Sequence, residues 1–282
     1  MRAILAIVAL HLLIVTPAHA RDMGGAFISS GVGNAGIEAA TQSVDEIVAD
    51  PSAVDETEQV ADLDFSYDRR RTSRNLSGFV ERTREKDTAA ADDLQQLFSA
   101  QPDIVAQMGG VMRQFGLDPH NLGDVFALWW MSAWLAANGR HDTPSPETFA
   151  GVSRQSRLAL GTTAGVAEMD HAARQQYADT LMVQAIVLNS ALEQARGQND
   201  LMAKLAIAAK RGAMESGLDL NTMVLTEQGF VPREGADASG VVREDAPALA
   251  QVDDGSNATL VAIAAALGLG LGGAFWLGKK AG

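Results

Sequence analysis

Cysteine is absent from the chain. Its absence excludes a disulfide framework, a thiolate zinc site and a thiol nucleophile, and with them the acylated cysteine of a bacterial lipoprotein. Aromatic residues are only 5% of the sequence while alanine is plentiful, a balance that favours helices over sheets. Positive charge is the scarcer sign, with 22 Lys and Arg against 35 Asp and Glu and a formal net charge of -13. An acidic surface argues against nucleic acid as a partner and against general adhesion to anionic lipid headgroups. Catalytic signatures are also missing. Neither His-Glu-x-x-His nor Gly-x-Ser-x-Gly occurs. Beyond residue 20 the histidines are His120, His141 and His171, none at metal-ligand spacing from another. No metal and no cofactor is expected.

The chain is organised around residues 121–138, which hold three of its four tryptophans, Trp129, Trp130 and Trp134. Between Val125 and Ala137 only Ser132 is polar, so apolar side chains point in every direction, the pattern of a helix buried all round. Asn121 is placed to cap its first turn, Asp124 to meet the helix N-terminus, and Gly139 to end it. The tryptophans suit either a core or an apolar groove, and aromatic side chains commonly serve the core.

Both extremities are apolar. Met1-Arg2, an apolar run to Val15, then Pro17 and the Ala18-x-Ala20 ending before Arg21 match a secretory signal cleaved after Ala20. The run of about 13 residues is short for a span, which takes about 20. Residues 258–277 carry no charge, and Thr259 is their one polar side chain. Twenty such residues at about 1.5 Å each match a bilayer core of about 30 Å. Trp276 sits at the position of an interfacial aromatic, and Lys279 and Lys280 should stay in the cytoplasm. This predicts a single-pass inner-membrane protein with its N-terminal domain on the periplasmic side. Gly268-x-x-x-Gly272 has the spacing that lets two membrane helices approach closely and form a homodimer. Removal of the tail as a sorting signal is the alternative.

Residues 21–63 read as a flexible leader. They contain a literal Gly-x-Gly-x-x-Gly at Gly31, Gly33 and Gly36, but no strand precedes it and no alternating β and α pattern follows, so a nucleotide site is not supported. One short helix fits Ile37 to Val48. Residues 64–230 read as a helical domain. Phe65 to Tyr67 form an extended entry, and Arg69-Arg70-Arg71 a solvated or ion-paired face. Ser73 caps a helix through Lys86, and further helices cover Ala89 to Ser99 and the region from Pro102 to Gly116. Then come the tryptophan helix and a helix from Ser145-Pro146-Glu147 to Leu160. Gly161 to Gly165 read as a loop. The longest helix runs from Asp170 to Arg196, with Tyr177, Leu181, Ala185, Leu188 and Leu192 as its buried stripe and Gln176, Asp179, Gln184 and Glu193 pointing elsewhere. A last helix starts at an Asp200 cap. Residues 231–257 read as a disordered acidic tether, and residues 278–282 as a short cytoplasmic tail. The predicted fold class is all-α, a multi-helix bundle around the central tryptophan-rich helix, with an N-terminal signal peptide and one C-terminal transmembrane helix.

Arg74-Asn75-Leu76 with Phe79-Val80, Leu97-Phe98, Gly116-Leu117, Asn121-Leu122 with Asp124, Trp129-Trp130 with Trp134, Gly217-Leu218-Asp219-Leu220, Leu225-Thr226 and Gly229-Phe230 together resemble an uncharacterised bacterial family, domain of unknown function 6683. The resemblance covers about residues 65–230 and lends no activity, substrate or cofactor, so no functional residue carries over. Three classes of function stay open. The best fit is a non-enzymatic interaction or scaffolding module of the envelope, with a protein partner and with the membrane contacted through the C-terminal helix. An envelope enzyme, such as a hydrolase with a site assembled across helices, would show convergent polar residues in a cleft. A carrier of a small apolar ligand would show a cavity near Trp129, Trp130 and Trp134. His120, Asn121 and Asp124 cluster at the start of the central helix, where capping accounts for Asn121 and Asp124.

Overall fold

A computed structural model describes residues 47–48, 61–85, 87–215 and 218–233. Among them are eight helices and one two-stranded sheet. The helices are α1 (Arg69–Arg84), α2 (Thr88–Ala100), α3 (Ile104–Gln114), α4 (Leu122–Ala137), α5 (Pro146–Thr162), α6 (Ala164–Ala167), α7 (His171–Ala195) and α8 (Asn199–Glu215). The strands are β1 (Met223–Thr226) and β2 (Gly229–Pro232). The chain is thus mostly helical rather than all-α. The signal segment with Ala18, Ala20 and Arg21, the glycine motif, and the C-terminal apolar stretch with Gly268, Gly272, Trp276, Lys279 and Lys280 lie outside the described residues. Among the described residues no helix is long and apolar enough to cross a membrane.

The tryptophan helix, α4, is the centre. All 16 of its residues are buried. Asn121 caps it, its side-chain oxygen accepting from the Asp124 N–H at 3.2 Å, and Gly139 leaves it with a φ of 60°, where L side chains are strained. α7, α5 and α8 pack around α4, and α1 packs on α2 and α7. Burial also reaches past α4's own partners. Ile47 and Val48 are helical and belong to the core, as does Leu63. The Leu122 N–H donates to the Leu63 carbonyl and the Phe65 N–H to the His120 carbonyl. The region expected to be a flexible leader therefore supplies part of the packing, because α4's first turn leaves backbone groups and apolar surface that residues 61–65 cover.

Several boundaries differ from expectation for local reasons. α1 starts at Asp68 rather than Ser73, because the Asp68 carboxylate accepts from the N–H groups of Arg70 and Arg71. Those bonds hold its carboxyl below the usual carboxylate range. The expected loop at Gly161 to Gly165 is instead the end of α5 and the single turn α6. The Thr163 hydroxyl donates back to the Ala159 carbonyl, and the Thr163 carbonyl accepts from Val166 and Ala167. α7 is buried on more than its leucine stripe. Asp179 and Gln184 are only 3% exposed, since α4 and α1 cover different sides of that helix.

The hairpin is the element that sequence reading missed. β1 and β2 pair antiparallel with Leu225 opposite Phe230. It lies on α5, and Gly151 makes the approach possible, since a Cβ there would collide with the Gln228 backbone. Gln155 clamps the second strand, donating to the Phe230 carbonyl at 2.7 Å and accepting from the Phe230 N–H at 2.8 Å. The Trp130 ring stacks on Phe230 at 4.2 Å, and the Trp134 indole donates to the Met223 carbonyl at 3.2 Å. The strand runs to Pro232, two residues past the expected end of the domain at residue 230. Because Phe230 is fully buried between Trp130 and Trp134, Phe230→Ala is expected to destabilise the domain by about 3–5 kcal/mol, read from urea unfolding followed by tryptophan fluorescence. A loss under about 1 kcal/mol would mean that the hairpin is not part of the cooperative core.

Candidate functional site

Two buried carboxylates are the first places to look for chemistry. Asp124 on α4 is completely buried. One oxygen accepts from the Ser153 hydroxyl at 2.5 Å and from Arg157 Nε at 2.8 Å. The other accepts from Arg157 Nη2 at 2.6 Å and from the Asp118 N–H at 2.6 Å. Capping therefore does not account for this residue. It is a bidentate clamp that fixes the start of α4 to α5, and every lone-pair direction is used. Sequence reading missed it because Ser153 and Arg157 lie on one face of another helix, about a turn apart, with no local pattern joining them to Asp124.

Asp179 on α7 faces α1. It accepts from the Thr72 hydroxyl at 3.2 Å and from the Asn75 amide at 2.7 Å. Gln175, one turn earlier, donates to Thr72 at 2.9 Å and accepts from Arg71 at 2.7 Å. Asn75 thus takes an internal hydrogen-bonding role. Burial raises the Asp179 carboxyl to about 6, against the opposing pull of Asn75, Thr72 and Arg71. This network joins two helices and borders no open cleft with other convergent titratable groups.

One concave feature among the described residues is an apolar cavity of about 80 Å³ on the side of α4 facing away from the hairpin. Leu128, Met131 and Leu135 of α4 line it together with Met108 and Met112 of α3 and Ile186 of α7. These positions share one α4 face by helical spacing. Asn189 and Ser132 supply polar groups to the wall, the Asn189 amide donating to the Ser132 hydroxyl at 3.1 Å. His141, Asp142 and Thr143 are exposed and form its rim, where Asp142 pairs with Arg140. Methionine walls are conformationally adaptable and recur at surfaces that receive apolar groups.

The sequence-predicted residues fall elsewhere. Trp129, Trp130 and Trp134 are at most 3% exposed, and none of them lines this cavity. His120 stacks on Tyr67 with ring centroids 5.3 Å apart, and His171 begins α7. Among the described residues no group of three or more His, Asp or Glu is placed to hold a metal ion. The cavity lining had a partial signal in the sequence, because Ile104, Met108, Val111 and Phe115 follow helical spacing. Of these only Ile104 and Met108 are fully buried, and Met108, Val111 and Phe115 turn toward the cavity.

These features define a mostly helical domain closed by one hairpin, with an apolar cavity beside its central helix. The chain belongs to the Family of unknown function (DUF6683), whose model matches residues 1–233. The match extends beyond residues 65–230 to take in the leader, and it ends at the close of the hairpin, before the C-terminal apolar stretch. A comparison with curated proteins gives no match, and one with solved structures gives none.

Asp179 has a consequence for stability. The folded chain keeps its proton up to about pH 6, whereas the unfolded chain releases it near the ordinary aspartate value of 3.8. Folded protein holds the extra proton between those values. The stability that this proton confers is complete below about pH 4 and lost as pH rises through about 6, a swing of about 3 kcal/mol at most. Relative to wild type, Asp179→Asn should gain stability at pH 7.5 and lose this slope, measured as Tm at pH 5 and 7.5. Parallel Tm profiles for the two proteins would refute the assignment.

Proposed function

We propose that the chain is an exported, membrane-tethered interaction module of the bacterial cell envelope whose receptor is the methionine-lined cavity, occupied by one apolar side chain of a protein partner. The size and lining of that cavity carry the reading. Its volume of about 80 Å³ is well below the roughly 300–1,000 Å³ of small-molecule pockets and about half that of an engineered cavity that admits benzene. A single side-chain anchor suits such a volume, and interfaces concentrate their energy in anchors of this kind. The adaptable methionines and the polar rim at His141, Asp142 and Thr143 match the layout of an apolar centre with a polar edge. A carrier of apolar ligands is less well supported, because the tryptophans are core. An enzyme is less well supported because Asp124 and Asp179 sit in satisfied networks between helices.

The placement rests on sequence. The signal ending at Ala20 before Arg21 and the apolar stretch 258–277, flanked by Trp276, Lys279 and Lys280, give one consistent topology: single-pass in the inner membrane, domain outside. Gly268 and Gly272 support a homodimer through the membrane helix.

A photo-crosslinking residue in place of Thr143, in the full-length chain in intact cells, tests the reading. One partner protein should be captured. Filling the cavity by Met131→Trp should reduce capture about tenfold or more, as loss of an anchor worth about 2 kcal/mol would, and Ser99→Ala should leave it unchanged. Leu135→Phe serves as a second filling variant if Met131→Trp unfolds. Capture that is indifferent to both fillings overturns the cavity as receptor. Release of the chain by carbonate washing overturns the membrane placement.

A further inference from the structure

α8 presents an outward face that no other described residue covers. Among the described residues three large apolar side chains are exposed, Tyr67, Ile207 and Met214, and two of them are on this helix at 49% and 50%. Tyr67 has His120 stacked against it, whereas Ile207 and Met214 stand half exposed on one helix. They are seven residues apart, so with the exposed Ala203 they fall within about 40° of arc on the helix. Lys210 flanks that stripe on one side and Lys204 and Arg211 on the other, with one acid, the exposed Asp200, between Ile207 and Arg211. None of the three cations pairs with another described residue. The opposite face, with Leu201, Leu205, Ala208 and Gly212, is buried against α4 and α7.

We propose that this face of α8 docks on the anionic lipid surface of the membrane to which the chain is tethered. The proposal rests on the tethered placement given above. A helix with an apolar stripe edged by Lys and Arg is the pattern that lies on a membrane, with its apolar residues at the headgroup boundary and its cations on anionic headgroups. The α1 arginines do not make an equivalent surface. Arg69 pairs with Asp103, Arg84 with Asp92, and Arg71 bonds Gln175; Arg70 and Arg74 are exposed, but no large apolar side chain of α1 is exposed beside them.

Two objections are answered by magnitude. The chain as a whole is acidic, but charges beyond the Debye length of about 8 Å are largely screened. The headgroups therefore respond to the local face, where three cations, Lys204, Lys210 and Arg211, stand against the single acid Asp200. The patch is also small. However, residues 234–257 separate the hairpin from the apolar stretch in sequence and read by composition as an acidic tether; a flexible chain of that length would span on the order of 30 Å. Such a link holds the domain at an effective concentration in the millimolar range, where a weak contact is enough to set its orientation.

The absence of cysteine makes the test direct. Full-length Ile207→Cys, carrying an environment-sensitive fluorophore at its one thiol, is reconstituted into vesicles of phosphatidylcholine alone or with phosphatidylglycerol, with quencher attached to the lipid. Full-length Ser99→Cys and Arg70→Cys report on other faces. The position 207 label should be quenched in the anionic vesicles and much less in the neutral ones, with labels at 99 and 70 quenched in neither. Each cation near an anionic surface favours docking about fivefold, so Lys204→Glu, Lys210→Glu and Arg211→Glu together should remove the quenching. A label at 207 that stays aqueous in anionic vesicles overturns the proposal, as does quenching at 70 in its place. So does protection at 207 that is indifferent to lipid charge, which would show a second copy covering the helix. Carbonate extraction separates the two readings. An extractable chain overturns the tether and this proposal with it, whereas a resistant chain with an aqueous label overturns the α8 face alone.

Discussion

A helix with apolar side chains on every side is stable only where something walls each side, and α4 imposes that demand on the whole domain. All 16 of its residues are out of water. α5, α7 and α8 supply most of the wall. The remaining gap on the tryptophan side is closed by the hairpin, which is too small to be stable alone. Two strands of four residues hold because Phe230 sits on Trp130, Gln155 satisfies both Phe230 backbone groups, and Trp134 bonds the Met223 carbonyl. At the start of α4, residues 61–65 close the first turn. The family match from residue 1 to 233 fits a unit in which leader, bundle and hairpin belong together.

The buried acids fix helices relative to one another. Asp124 ties α4 to α5 through Arg157 and Ser153. Asp179 ties α7 to α1 through Thr72 and Asn75. Removing either partner of such a contact strands a polar group, which is costlier than the contact is favourable. Both therefore specify geometry more than they add net stability. Among the described residues the apolar cavity on α4's far face and the exposed Ile207 and Met214 of α8 are not filled by the domain's own packing.

The helices were legible because their ends carry strong local signals. Asn121, Ser145 with Pro146, and Asp170 were read as starts and are the caps observed. Gly116, Gly139 and Gly197 follow helices with positive φ. The all-round burial of α4 was legible from the absence of polar residues. The hairpin was not, because Met223 to Pro232 has no recognisable turn pair and its stability comes from tertiary contacts with α5 and the tryptophans. The Asp124 clamp and the Asp179 network were not legible either, since each joins residues from different helices and an acid among apolar residues looks like an exposed one. The tryptophans, which suited core better than groove, are core; a cavity beside them was only what an apolar-ligand carrier would need, and the cavity present lies on the opposite face, where Met108, Met112 and Met131 leave a void.

That void is the most direct point of test. Xenon enters apolar cavities of protein interiors, and methionine methyl groups report it by NMR. The full-length chain labelled at its methionine methyls should show the signals of Met108, Met112 and Met131 moving under xenon, while that of Met223, buried in the first strand of the hairpin, stays in place. Unmoved signals at all four, or equal movement at Met223, would contradict a receptive cavity on that face of α4.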